Sequence, residues 1–311
     1  MLGAGAVGCA LGAGLARVAE VRLVARGDHL AALQRDGLLL DGRRVRLPAA
    51  ERLEPGANLV IAAVKTQDLD GALAASRGAL GQARVLTIQN GLAAEGIAAR
   101  HVPAERVVGC VTALDAEMLE PGVVTVGRVG GLVLSGAPDV AALLSQAGFP
   151  TRVSANFAGA RWTKLLVNLN NALLAATGLT AQEAYARRDL PRLSVRLVRE
   201  GLAVARAEGV RLERIPWADP RQVALLARLP EEWAARLLAA RVRRDAGSVP
   251  LRGSTQQSLL RGRSVEVAWL NGEVVARGRR LGVPTPANEA MVAAVERVAA
   301  SGEPVPPAAL A

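Results

Sequence analysis

The sequence predicts an α/β fold: a Rossmann-like, doubly wound parallel sheet followed by an all-helical C-terminal domain. Three observations carry it. A glycine-rich turn, GAGAVG at residues 3–8, opens the first helical stretch. Short apolar runs then alternate with helical segments to about residue 155, the pattern of β-α crossovers in a parallel sheet. Beyond that point, long Ala/Leu/Arg segments repeat with a helical period. The expected domains are 1–155, binding a dinucleotide, and 156–311, binding substrate and available for dimerisation.

Taken in order, CALGAGLARVA reads as a helix, VRLVAR as a strand and DHLAALQRDG as a helix. NLVIAAVK is a strand, QDLDGALAASRGAL a helix, ARVLTIQNG a strand, AAEGIAARH a helix and RVVGCVTA a strand. GVVTVGRVGGLVLSG reads as a hairpin in itself, and PDVAALLSQAG as a closing helix. The second half predicts helices over 157–177, 181–187, 190–208, 218–228, 230–245, 254–261, 265–281 and near 287–300. The tail, GEPVPPAALA, is expected to fray.

With 311 residues the chain can bury a substantial core, and with 2% aromatics that core is built from Ala, Val and Leu. The formal net charge of +10 raises nucleic acid or an anionic membrane as partners. The scarcity of rings to stack on bases, and the lack of any nucleic-acid motif, argue against the first. The stretch Arg236–Arg263 carries seven arginines against one acid, Asp245; it fits an anion-attracting surface or a solvated helix face. No apolar run is long enough to span a bilayer, and the apolar start lacks the basic leader of a signal peptide. Two cysteines, Cys9 and Cys110, make no disulfide framework and suit a reducing cytoplasm. Neither has a metal-ligand partner at a useful spacing, so no metal is expected. His29 and His101 both read as surface residues, which turns the search for catalysis elsewhere.

Within the glycine turn, Gly3 permits the tight bend, Gly5 lets the backbone approach a pyrophosphate, and Gly8 lets the helix pack on the sheet. Only Met1 and Leu2 precede Gly3, whereas a central strand needs about five residues. The expectation is therefore a start a few codons upstream, with a GTG codon read as the initiator. At the end of the second strand stands Arg26, where an NAD site has an acid; a cation favours the 2′-phosphate of NADP. Asp28 nearby is the competing feature, and an ordinary loop arginine is the plain alternative. Lys65 and Asn90 follow the next two strands, so with Arg26 they would share one sheet edge, where ligands bind in open α/β folds.

The chain has 36 arginines and only two lysines, Lys65 and Lys164. Arginine stays protonated, while a lysine ammonium is compact and can give up its proton, as a donor to a developing alkoxide must. On a helix, Asn168 and Asn171 fall within about 40° of Lys164. Amides are costly to bury unpaired, so the stripe reads as facing a ligand; a network bracing two helices is the alternative. Ser254 could cap a helix. Glu266, in the apolar context VEVAWL, needs a partner, and Lys164 is a candidate.

These residues, with LGAGAVG, VKTQDL, IQNGL, RWTKLLVNLNNALLAATG, STQQSLLRGRSVEVAWLNGEVV and GVPTPAN, resemble the ketopantoate reductase (2-dehydropantoate 2-reductase) family over nearly the whole chain. The resemblance implies NADPH-dependent reduction of 2-ketopantoate to pantoate, in pantothenate and coenzyme A synthesis. It implies a helical domain like that of 6-phosphogluconate dehydrogenase. By position it makes Lys164 the proton donor and Glu266 its companion in the ternary site, with Asn168, Asn171 and Ser254 holding substrate. Gly3, Gly5, Gly8, Arg26, Lys65 and Asn90 fall to the cofactor. Gly253 stands where a second serine is common, and Ala268 where an aspartate is common. Another 2-keto acid as substrate therefore stays open, as does a non-catalytic NADP sensor on the same fold, and so does the oligomeric state.

Overall fold

The computed structural model describes residues 1–246, 251–262 and 264–310. Part of the arginine-rich stretch, residues 247–250 and Arg263, lies outside them. The chain divides into two compact units, Met1–Phe157 and Ala158–Ala311.

In the first unit the glycine turn leads into α1 (Ala6–Leu15), followed by β1 (Leu23–Val24), α2 (Gly27–Asp36), β2 (Leu38–Leu40), β3 (Arg43–Val45), β4 (Ala49–Ala50) and β5 (Leu59–Ala62). Then come α3 (Thr66–Leu80), β6 (Arg84–Thr87), α4 (Ala94–Ala98), β7 (Val107–Glu120), β8 (Val123–Leu134), α5 (Pro138–Gln146) and β9 (Thr151–Val153). The place of a first strand is held by Leu2 alone, which bridges Val24 on one side and Ala62 on the other, both parallel. Around it the parallel order is β4-β1-Leu2-β5-β6-β7, the doubly wound arrangement with the glycine turn at its centre. Past Met1, β1 and β5 flank a cavity of ≈ 530 Å³ lined by Leu23, Leu59, Val60 and Ile61 among others.

Two sequence expectations need correction here. GVVTVGRVGGLVLSG is not a hairpin by itself. It forms one strand, β8, antiparallel to a β7 extended to 14 residues, and the turn falls at residues 121–122. Alternating apolar residues in both runs, such as Val111, Leu132 and Leu134, find their partners across that long ladder. The histidines are not plain surface residues either. His29 Nδ1 accepts from the Gly122 N–H (2.9 Å) and its Nε2 lies 3.6 Å from Cys9 Sγ, tying α2 and α1 to the β7–β8 turn. His101 has a side chain only 6% exposed and sits 2.7 Å from Asp70 Oδ1, which holds that carboxyl below its usual range. Charged neighbours in sequence concealed this burial.

The core of the unit is the apolar face of α1 against the sheet: Cys9, Leu11, Leu15, Leu23, Ile61, Leu86, Cys110 and Leu134. Both cysteines are free and buried. Burial pushes the Cys9 thiol up to about 12, so it behaves as a small hydrophobe rather than a nucleophile.

The second unit is helical: α6 (Phe157–Asn168, its first residue the last of unit one), α7 (Asn170–Thr177), α8 (Ala181–Ala186), α9 (Asp189–Ala207), α10 (Pro220–Arg228), α11 (Glu231–Ala246), α12 (Ser254–Leu260), α13 (Asn271–Leu281) and α14 (Pro286–Ser301). α9 is the hub, packing on α7, α8, α10, α11, α13 and α14. Its apolar stripe, Leu190, Leu193, Leu197, Val198 and Leu202, is buried, and a helix this amphipathic forms because that face leaves water. Thr180 and Glu183 form a capping box that starts α8. The helix expected over 157–177 breaks at Leu169, and that expected over 265–281 begins as a 3-10 turn, Val267–Trp269, before α13. The tail does not fray: Val305 is buried and its N–H donates to the Ala176 carbonyl at 2.8 Å. Among the described residues no helix is long and apolar enough to cross a membrane.

Candidate functional site

In the first unit the candidate residues of the glycine turn act through backbone. Gly3 has φ +95°, and a Cβ there would lie 2.6 Å from Val64 Cγ1 and 2.8 Å from Val64 N. Any side chain at Gly8 would run into the Gly3 carbonyl oxygen. Gly5 differs: nothing lies within 4 Å of where its Cβ would be. Its bareness is not demanded by protein packing, so it leaves space beside the backbone at the start of α1, where N–H groups point outward and favour an anion. The three glycines thus differ in what surrounds them, as their separate expected tasks require.

Because the strands are parallel neighbours, the residues after β1, Leu2, β5 and β6 lie along one edge of the sheet. Arg26, exposed, is the N-cap of α2, and Asp28 lies in the first turn of the same helix. Lys65, half-buried, is the N-cap of α3, and its carbonyl accepts from the Asp68 N–H at 3.0 Å. Asn90 is half-buried, and its carbonyl accepts from Thr66 Oγ1 at 3.4 Å. Gly3, Gly5, Gly8, Arg26, Lys65 and Asn90 therefore belong to one edge of the first unit. Next to Asn90 in the chain is Gln89, another of the polar residues expected at these strand ends, 4% exposed. Its Nε2 donates to the Ala62 and Val64 carbonyls, each at 2.9 Å.

In the second unit the candidates are side chains. On α6, Trp162, Thr163, Leu165 and Leu166 are buried, while Lys164 and Asn168 are half-buried. Across the break, Asn171 is also half-buried, and Leu169, Ala172 and Leu173 are fully buried. The lysine and both amides of the stripe are thus less buried than the leucines beside them. Asn171 Nδ2 donates to Ser254 Oγ at 3.3 Å, joining two of the residues chosen from sequence. Ser254 is not the cap of its helix: Gly253 is, and Ser254 opens α12. Its hydroxyl is thereby turned to Asn171 rather than spent on its own backbone. A Cβ on Gly253 would sit 3.1 Å from Asn171 Oδ1, so a serine there would press on that amide. Glu266, half-buried, precedes the 3-10 turn, and its carbonyl accepts from the Trp269 N–H at 2.9 Å.

The LNG and PTPAN segments turn out to supply support for this ridge. Asn271, fully buried, donates to the Leu169 carbonyl (3.3 Å) and to Asn288 Oδ1 (3.0 Å). Asn288 donates in turn to the Leu197 carbonyl and to Glu200, whose carboxylate also accepts the Ala287 and Asn288 N–H groups. The carbonyl freed where the helix breaks is thus satisfied from α13, as a buried acceptor requires. Sequence spacing shows these asparagines but not that they meet.

Comparison with known proteins covers both units. The family described as Ketopantoate reductase PanE/ApbA matches residues 1–138, and its C-terminal counterpart matches residues 156–299. The chain is 33% identical over 304 residues to a 2-dehydropantoate 2-reductase of Halobacterium salinarum, covering 91% of this chain and 93% of that one. It is 27% identical to the 2-dehydropantoate 2-reductase of Pyrococcus horikoshii, covering 93% of each. Among solved structures, the PanE/ApbA family ketopantoate reductase of Ralstonia eutropha JMP134 superposes with a TM-score of 0.82 at 35% identity, covering 96% of this chain and 97% of that one. A D-mandelate dehydrogenase solved with NADH and anilino(oxo)acetate shares the fold, with a TM-score of 0.81 at 21% identity and coverage of 96% and 97%. With a dinucleotide turn, a lysine–amide ridge and full-length relatives in agreement, this chain belongs to the ketopantoate reductase family.

Proposed function

We propose that the protein reduces the ketone of 2-ketopantoate (2-dehydropantoate) to the secondary alcohol of pantoate, using NADPH. The observation that carries this is the ridge Lys164–Asn168–Asn171 with Ser254 bonded to Asn171, half-buried polar groups beside the buried Leu165, Leu166, Leu169 and Ala172. NADPH, when bound, supplies the hydride to the carbonyl carbon. Lys164 polarises the carbonyl oxygen and delivers the proton that completes the alcohol, and Glu266 favours the charged form of that amine. Asn168, Asn171 and Ser254 hold the acid so that its ketone faces Lys164. The backbone of Gly3, Gly5 and Gly8 receives the pyrophosphate, while Lys65 and Asn90 serve the nicotinamide end. Arg26, a cation at the start of α2, supports NADPH over NADH through the 2′-phosphate. The reading places the enzyme in a reducing cytoplasm, in keeping with its two free buried thiols.

A second reading, another 2-keto acid, is favoured by Gly253: where a side chain would press on Asn171, there is none. Following NADPH oxidation across a panel of 2-keto acids tests both. Ketopantoate should give the highest kcat/KM, and a larger value for a different acid would replace the substrate while keeping the reaction. Absence of turnover with every acid would leave an NADP-binding sensor.

A further inference from the structure

We infer that Gln89 is a positioning residue for the dinucleotide, acting through the segment that joins β5 to α3. The β5–β6 ladder ends at the pair Ala62–Thr87. Beyond it the two chains part, as they must at the edge where a ligand enters, and backbone carbonyls on the β6 side of β5 lose their ladder partners. Two of these, Ala62 and Val64, accept instead from the one carboxamide of Gln89, each at 2.9 Å. With Gln89 only 4% exposed, these bonds are protected from water and hold firmly.

What the carboxamide fixes is the wall of the glycine turn. Val64 is the residue against which Gly3 packs, with no room for a Cβ between them, and Ala63 lies against Gly8 at 3.2 Å from its would-be Cβ. The Ala63 N–H donates to the Leu2 carbonyl at 2.8 Å. One residue on, Lys65 starts α3, and Thr66 reaches back to the Asn90 carbonyl. A side chain from the β6 loop therefore sets both the turn that would receive the pyrophosphate and the lysine at the nicotinamide end, without itself needing to touch the cofactor. The inference rests on the glycine-turn reading of the cofactor site, and not on the role of Lys164.

The test is NADPH affinity by fluorescence titration, without turnover, on the full chain. Gln89→Leu keeps the bulk and removes both donors. We expect its Kd for NADPH to rise at least tenfold, while KM for the keto acid and kcat at saturating NADPH stay within about threefold. Gln89→Glu gives a readout that packing alone would not move. The protonated acid can donate one bond, whereas the carboxylate faces two carbonyl oxygens, so its affinity should improve as pH falls from 8 to 5.5, corrected for the wild-type profile. If Gln89→Leu does not fold, that profile decides alone. Native affinity in Gln89→Leu, or a pH-independent Gln89→Glu, overturns the proposal. Gly5→Asp separates the two readings, since a Cβ at that position has nothing within 4 Å and a carboxylate there should repel the pyrophosphate. Lost binding in Gly5→Asp with native binding in Gln89→Leu sinks only the role of Gln89; native binding in Gly5→Asp sinks the glycine-turn site and the inference with it.

Discussion

The candidate residues of the two units are built from different material. In the first unit they are largely main chain: Gly3 and Gly8 are bare because Val64 and the Gly3 carbonyl occupy the space, while Gly5 is bare with nothing within 4 Å of its would-be Cβ. In the second unit the backbone is ordinary helix, and the candidates are side chains, Lys164, Asn168, Asn171 and Ser254. Crowding at Gly3 and Gly8 leaves no room for added atoms, whereas the role proposed for Lys164 depends on the identity of its side chain.

The largest expected effect breaks the second set of candidates alone. Lys164→Ala should lower kcat by roughly 10²–10⁴, the range of general acid catalysis, with NADPH affinity unchanged by titration; Lys164→Arg should also be poor, since it keeps charge but cannot yield the proton. Native turnover in Lys164→Ala would remove the assignment. Next, Gly8→Ala adds one methyl where the Gly3 carbonyl stands, and overpacking of this sort costs about 1–3 kcal/mol. Thermal unfolding should show that loss together with weakened dinucleotide binding. An unaltered melting curve would mean that α1 is not seated as described. Arg26→Ala sharpens the contrast, because Arg26 is the side chain proposed to choose between the two dinucleotides. NADPH affinity should fall about tenfold, equivalent to ~1.4 kcal/mol, with NADH affinity unchanged; equal losses for both would return Arg26 to the role of a loop residue.

The smallest effect concerns stability and lies away from both sets of candidates. Arg84 forms a bidentate pair with Asp139, which lowers that carboxyl from 3.8 to about 2. A depressed folded-state value contributes stability above the unfolded value and loses it as pH falls through the folded one. Arg84→Ala should therefore melt slightly lower than wild type at pH 5, with the gap closing by about pH 2. A gap that persists at pH 2 would assign it to lost packing instead.

How much of this was legible in the sequence follows the same division. The spacing of Gly3, Gly5 and Gly8 ahead of a helix is a local pattern and is legible as such, and a lysine among arginines is equally visible. What could not be read were meetings between residues far apart in the chain. GVVTVGRVGGLVLSG reads as a hairpin because its true partner, β7, lies before it and only RVVGCVTA of that strand has a strand's pattern. His101 reads as exposed because its neighbours are charged, although the fold brings it to Asp70, 31 residues away. Gln89, Asn271 and Asn288 were visible as letters, but their hydrogen bonds to Val64, Leu169 and Glu200 are products of the fold.

The interruption at Leu169 puts Lys164 and Asn168 on one rod and Asn171 on the next, so the angle between the amine and the outer amide is not dictated by helical pitch. The joint is in contact with α13 instead: Asn271 donates to the Leu169 carbonyl and is tied to Asn288 and, through it, to Glu200. Removing Asn271 would take a buried donor from that joint while leaving every residue of the ridge itself in place.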